Sequence, residues 1–587
     1  MKKKLLFIAF GFFSFYVSAK EDIDKSKSKQ QPQTFATGCF AGTAQMDLDL
    51  SNVRARILQA GDMWWDLNNS KYEVPKDSGK HSMFAGALWI GGIDAGGQIK
   101  LAAHTYRQTG NDWYPGPMDT VLVDASQAQC LAYDRFWKLT RQEVQTFAGG
   151  GAATPNIVQW PGNGNSFNNE GHFLAPFYDA NGNGIYEYTA GDYPYYDLSG
   201  ASSGGNCNSV LHGDQTIWWA FNDVGNVHTE TNGTPIGLEV QAQAFVFASQ
   251  NVNVNNSTFY QYKIINRSTF TLNQCYFGNW ADPDLGYALD DFIGCDVNRG
   301  MGYCYNADPD DNASQGGYGL NPPAIGIDFL QGPLADPGDG IDNDRDGTID
   351  EPGEQIIMSK FVYYNNDFSA TGNPIGFYDF YGYLKGIWRD SIPMTYGGDG
   401  YDPLSTNYCD FMFPDNTDTV YYPTLGAWTE VTAGNVAGDR RFLQTAGAFT
   451  LLPGAVNYIT VGVIWARTTA GGPYASVDSL KNADDLIQQI YDSCFFTTSV
   501  SELAAAEIHV TVSPNPFFSE TIIHFNNPQQ DKFSFIVYDV KGKEVRKISG
   551  IKSTEVILKK ENLNSGVYFY KLQNSEGKSF SGKLVVQ

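Results

Sequence analysis

Basic residues are scarce in this 587-residue chain: 39 Lys and Arg stand against 64 Asp and Glu, a formal net charge of −25. An acidic surface repels nucleic acid and anionic membranes, so neither is expected as a partner. Long apolar runs are missing as well. The best, Leu5 to Val17, is shorter than the ~20 residues that cross a bilayer, so no transmembrane segment is expected in the mature chain. No HExxH or P-loop occurs, which removes the usual fingerprints of zincins and P-loop nucleotide enzymes. CxxC pairs are absent and the five histidines between residues 35 and 497 are scattered, which argues against zinc. No solenoid or propeller period repeats.

Aromatics make up 14% of the chain, and it holds 62 glycines. That composition suits a mainly β protein with many tight turns. Lys2-Lys3-Lys4, the apolar run and Val17-Ser18-Ala19 read as a secretory signal peptide over 1–19. Residues 20–34 are polar and read as disordered. A β-rich acidic body is expected over 35–497, as one domain or two subdomains. A linker follows over 498–507, and a small immunoglobulin-like sandwich over 508–587. Charge supports the boundary: from Glu21 to Glu507 there are 24 Lys and Arg against 57 Asp and Glu, but from Ile508 onward 11 against 7.

Within the body, Ala87–Ile90 and Gln98–Thr105 read as a hairpin around Asp94-Ala-Gly-Gly97. Residues 238–248, 258–266 and 275–280 read as three successive antiparallel strands. Phe259, Gln261, Lys263 and Ile265 alternate with Tyr260, Tyr262 and Ile264, predicting one wet and one buried face. Leu480, Ala483, Ile487, Ile490, Tyr491 and Cys494 recur at helical spacing, with Ser476 or Asp478 as N-cap. All eight cysteines lie in the body, and an even count in an exported chain predicts disulfides. Cys295 and Cys304 are the nearest pair and could close a small loop.

The last eighty residues carry Pro514-Asn515-Pro516, an extended lead-in because proline fixes φ and lacks a donor. Short alternating strands follow. Then come Leu563-Asn-Ser-Gly566-Val-Tyr568, where Gly566 permits a tight turn, and the terminal Lys583-Leu584-Val585. This order resembles the type A C-terminal sorting domain of the Bacteroidetes type IX secretion system. The resemblance implies delivery to the cell surface or medium, recognition by the outer-membrane translocon and removal by sortase-like machinery. It also leaves open attachment of the body to surface lipopolysaccharide. Strings such as Phe84-Ala-Gly-Ala-Leu-Trp-Ile-Gly-Gly92 and Gly213-Asp-Gln-Thr-Ile-Trp-Trp219 resemble uncharacterised exported Bacteroidetes proteins with the same tail, which bring no activity with them.

Two loops carry calcium-type patterns. Asp179, Asn181 and Asn183 occupy positions 1, 3 and 5 with Gly184 at 6; Glu187 and Asp192 are the remaining carboxylates, and Ala190 stands where an EF-hand places its closing Glu. Asp342, Asp344 and Asp346 repeat the pattern with Gly347, followed by Asp350 and Glu351. Crowded carboxylates repel unless a cation sits among them, so structural Ca2+ is expected. A third acidic stretch holds Asp282, Asp284, Asp290, Asp291, Asp296, Asp308, Asp310 and Asp311. The expected function is a secreted or cell-surface protein whose calcium-stabilised body is a non-enzymatic adhesive or structural module, with glycans or lipopolysaccharide as partners. The alternative is a polysaccharide-active hydrolase using paired carboxylates of the third stretch.

Overall fold

The computed structural model describes residues 38–107, 110–196, 198, 207–494, 510–525, 532–574 and 579–587. The expected signal peptide, the polar 20–34 segment and the linker over 498–507 lie outside them.

The body is mainly β. Its principal strands in chain order are β1 (Arg54–Leu58), β2 (Ala85–Ile93), β3 (Gln215–Asn222), β4 (Leu238–Val246), β5 (Ser257–Asn266), β6 (Leu272–Asp282), β7 (Asp291–Asp296), β8 (Met301–Asn306), β9 (Ala324–Gln331), β10 (Lys360–Tyr364), β11 (Arg441–Leu451) and β12 (Val456–Ala466). They form two antiparallel sheets. One runs β10-β11-β6-β2 and continues through Asp62–Met63 to β1; the other runs β7-β8-β9-β12-β5-β4-β3. The predicted hairpin is present: β2 pairs with Ile99–Ala103, and Gly97 N–H donates to the Asp94 carbonyl at 2.9 Å.

The sheets bury their facing sides against each other. Tyr260, Tyr262 and Ile264 of β5 and Ile327 and Phe329 of β9 join Trp89 of β2, Phe277 of β6 and Leu443 of β11 in one apolar cluster. Phe277 bridges the layers, 5.9 Å from the Tyr262 ring and 6.0 Å from that of Phe329. Each buried side chain of this size contributes ~1.5–3 kcal/mol of transfer free energy.

Three expectations are corrected here. First, β4 and β5 are neighbours, but the third expected strand, β6, crosses to the opposite sheet between β2 and β11. Second, the supposedly wet face of β5 is mostly buried: Phe259, Gln261 and Ile265 are buried and only Lys263 keeps partial access. Helix α1 (Gly472–Asp492) covers part of that face, seating Leu480, Ala483, Ile487 and Ile490 against Phe245, Phe259 and Ile464. It begins before the expected cap, with Gly471 at the cap position and Ser476 inside, its hydroxyl donating to the Pro322 carbonyl at 2.8 Å. Third, Cys295 and Cys304 are not paired. They lie out of register on β7 and β8 and are free buried thiols, as are Cys275 and Cys409. Cys39 is bonded to Cys130, and Cys494 is in a disulfide.

The C-terminal region forms a three-stranded sheet (Val510–Ser513, Glu520–Phe525, Glu555–Lys559) and a four-stranded sheet (Glu544–Ile551, Phe533–Tyr538, Gly566–Asn574, Ser579–Val586). Phe517, Ile523, Phe535, Val537, Leu572 and Leu584 fill the space between them.

Candidate metal centre

The second calcium-type loop lies in the long connection between β9 and β10. Its base is fastened: Ala335 N–H donates to the Glu354 carbonyl at 2.9 Å, Ile356 N–H to that of Pro333 at 2.8 Å, and Ile356 and Met358 anchor in the core. Above the base, short-range turns curl the acidic run. Asp342 Oδ2 accepts from Gly347 N–H at 3.1 Å, Asp344 Oδ1 from Asp346 N–H at 3.1 Å, and Asp346 Oδ1 from Thr348 N–H at 2.7 Å. Gly347 sits at φ +95°, where a side chain would strain the backbone. Each carboxylate thus uses one oxygen to shape the loop and keeps the other free.

Carboxylate oxygens of these residues converge. Asp342, Asp344 and Glu354 form one group whose oxygens lie within 4.8 Å of one another, and Asp344, Asp346 and Glu351 form a second. Asp342 Oδ1 and Glu351 Oε2 are buried without a hydrogen-bond partner. Against the pull of its own backbone amide, and with desolvation, the carboxylates of Glu354, Asp344 and Asp346 push the Glu351 carboxyl up. The arrangement can hold a metal ion with oxygen ligands alone. Asp350 stands apart and accepts from Gly340 N–H at 3.1 Å. Glu354 is the member that the sequence pattern missed. It lies one residue past the usual closing position and is 6% exposed.

The first loop is shaped the same way. Asp179 accepts from Gly182 N–H at 2.7 Å and, through its other oxygen, from Gly184 N–H at 2.6 Å. The Gly184 amide holds the Asp179 carboxyl below its usual range. Asn181 and Asn183 accept from the amides two residues on, and Asn183 also donates to Glu187. Asp192, fully buried, closes the loop by accepting from Ala180 N–H at 2.9 Å and Glu187 N–H at 2.7 Å. Backbone donors therefore occupy both Asp192 oxygens.

The third acidic stretch divides into separate environments. Asp282 and Asp284 lie with Asp439, which β11 brings alongside the end of β6. Tyr106 donates to Asp282 at 2.6 Å, and Arg441 lies 3.6 Å away. Burial first, then mutual repulsion and Asp439, pushes the Asp284 carboxyl well up; burial does the same to Asp282 against the pull of Arg441. Asp290 is pushed up to about 6 by burial and then by Asp311. Asp291 is buried and accepts from Leu285 N–H at 3.0 Å. Asp311 accepts from Tyr287 and Tyr318 amides. Asp308 and Asp310 are exposed, and Asp296 is paired with Arg299 and Lys481 at 2.9 and 3.2 Å.

Two concavities flank these loops. A cavity of about 720 Å³ opens between the second loop and α1, walled by Asp344, Asp346, Glu351 and Glu354 on one side and Asp484, Asp485 and Asp492 on the other. A smaller one of about 300 Å³ lies on the far face of β4 and β5, beside Asp179 and Gly184 of the first loop. It is lined by Gln241, Gln243 and Gln261, of which Gln243 and Gln261 are hydrogen-bonded to each other at 2.8 Å, by Lys263 and by the rings of Phe177, Trp218 and Tyr458. Trp218 and Trp219 are otherwise core residues, 2% and 1% exposed.

In the C-terminal region the sequence elements are tied together. The Asn515 side chain donates to the Lys583 carbonyl at 3.0 Å and accepts from Val585 N–H at 2.8 Å. Phe517 N–H donates to the Val585 carbonyl at 3.0 Å, and Gln587 N–H returns to Phe517 at 2.9 Å. Pro514 and Pro516 flank this contact on the surface. Leu563 is buried, and the Tyr568 hydroxyl donates to the Asn564 carbonyl at 3.0 Å, fastening the turn that holds Gly566. Leu584 is fully buried between them.

Residues 511–587 match the secretion system C-terminal sorting domain family. The chain therefore carries such a domain and is a type IX secretion cargo, destined for the cell surface or the medium. No curated protein matches it. A polysaccharide lyase of known structure is similar over 60% of this chain and 34% of its own, with 6% identity and a TM-score of 0.19. The chain thus spans about a third of that protein, and a likeness this low carries no argument about activity. No described helix is long and apolar enough to cross a membrane.

Proposed function

We propose that this type IX secretion cargo works outside the cell as a calcium-stabilised binding module, adhesive or structural rather than hydrolytic. Residues 35–497 carry the binding function and 508–587 the address. The observation that carries the reading is the convergence of Asp342, Asp344, Asp346, Glu351 and Glu354 in one loop. Like charges this close favour a cation, and a hard oxygen set favours Ca2+. The ion ties down a long connection that has little core of its own.

The amide-rich cleft on β4 and β5 supports a neutral, hydroxyl-rich ligand such as a glycan. Gln243 and Gln261 fix each other in place, and Gln241 Oε1 is buried without a partner and can accept from a hydroxyl. A glycan array probed with the full chain tests this reading. Binding that is lost in Gln241→Ala supports it, and no binding to any glycan counts against it.

One observation favours the hydrolase reading: the raised carboxyls of Asp282 and Asp284, as a general acid requires. Against it, Asp282 is 2% exposed and engaged by Tyr106. Release of reducing sugar that disappears in Asp284→Asn would establish the hydrolase and displace the binding module.

A further inference from the structure

At the floor of the 720 Å³ cavity lie two carboxylates that belong to neither loop. Asp328 sits mid-strand in β9, between Ile327 and Phe329, which point into the sandwich core; its own side chain faces the α1 side. Asp484 lies on the buried stripe of α1, four residues after Leu480 and three before Ile487. They are 1% and 2% exposed. Both line the cavity and hydrogen-bond each other, and the Oδ1 atom of each has no other partner.

The nearby cations are already engaged elsewhere. Arg299 donates to Asp296 at 2.9 Å and to both oxygens of Asp485 at 2.8 and 3.0 Å, while Lys481 lies 3.2 Å from Asp296. Asp296 thus absorbs Lys481 and shares Arg299, whose charge still reaches Asp484 across space, but among the described residues neither Asp328 nor Asp484 forms a close ion pair. Burying one carboxylate without a partner is costly, and two side by side are costlier. Across the cavity the facing wall is acidic too, so it supplies no compensating charge.

We infer that Asp328 and Asp484 form a second divalent-cation site, distinct from the calcium-type loop and taking a hard, oxygen-preferring ion such as Ca2+ or Mg2+. Two carboxylates do not fill a shell of roughly six to eight oxygens, and the open cavity above them leaves room for water. The site would join α1 to the sheet at the point where their apolar contact is interrupted by charge. It does not depend on whether the loop itself holds an ion.

The test is Ca2+ stoichiometry by equilibrium dialysis on chelator-stripped full chain, with near-ultraviolet circular dichroism as the folding control. D328N/D484N keeps the shape of both side chains and should bind one ion fewer than wild type. D344N/D346N should lose a different ion and retain the one at the floor. If D328N/D484N binds as many ions as wild type and melts higher than it in chelator, the two carboxyls merely share a proton and the inference is overturned. If only the D344N/D346N stoichiometry is unchanged, the loop reading fails and the floor site stands. Should the double variant fail its folding control, Asp484→Asn alone should weaken one Ca2+ site by at least ~10-fold, the size of effect seen when supports of a metal site are lost; unchanged affinity overturns the inference.

Discussion

Removing the ion from the second loop should lower the melting temperature of the body by an amount that can be worked out in advance. Carboxylate oxygens of Asp342, Asp344 and Glu354 lie within 4.8 Å of one another. Each such pair repels by about 1 kcal/mol even in a water-like dielectric, and a bound cation removes that repulsion. Calcium at ~100 times its Kd adds about 2.7 kcal/mol for one site. Unfolding entropy near 2.1 cal/mol/K per residue, over roughly 460 residues, is about 1 kcal/mol/K. One site should therefore be worth about 3 °C. Scanning calorimetry of the full chain in Ca2+ and in EDTA measures it, for wild type and D344N/D346N. The variant should lose that ~3 °C share of the chelator response and, in EDTA, melt slightly above wild type because two like charges are gone. A variant with the full wild-type response to EDTA would refute the loop as the site.

Other consequences can be checked separately. Asp290 holds its proton more tightly in the fold than in the unfolded chain, so its contribution is present below about pH 4 and is lost as pH rises through about 6. Asp290→Asn should accordingly raise the melting temperature at pH 7 and leave it nearly unchanged at pH 4; an equal shift at both would contradict the assignment. Glu430 is fully buried, accepts from Ile293 N–H at 2.7 Å and pairs with Arg440 at 2.8 Å. Glu430→Ala should cost about 3–5 kcal/mol in guanidinium denaturation because it strands a buried Arg440, and a loss under ~1 kcal/mol would show the pair to be dispensable. Asn515→Ala removes both hydrogen bonds between the proline-flanked lead-in and the last strand, about 1–3 kcal/mol together. It should leave body protein in the periplasm, and normal levels in the medium would disconnect that contact from export.

The mainly β architecture was legible because alternation and turn residues are local signals. The β2 hairpin and the curled acidic loops followed from Asp, Asn and Gly at short spacing. The destination of β6 was not legible. Alternation says that a strand has two faces but not which sheet will accept it, and β6 leaves its neighbours to pair with β2 and β11. The same crossing explains Asp439, which no motif links to Asp282 and which arrives only because β11 runs antiparallel beside β6. The wet face of β5 was misread because α1, which covers part of it, lies far away in sequence. Asp328 did leave a trace, as a lone carboxylate within an apolar strand, whereas Asp484 stands beside Asp485 on the helix. The sorting elements were legible because proline, asparagine and the terminal strand act through backbone contacts within one small sandwich.

The most direct measurement of the account is anomalous diffraction from crystals of the full chain grown with Ca2+ and with Tb3+ in its place. The account predicts a peak among the carboxylates of Asp342, Asp344, Asp346, Glu351 and Glu354, absent in D344N/D346N. A well-ordered loop with no peak, or a peak that persists in the variant, would contradict it.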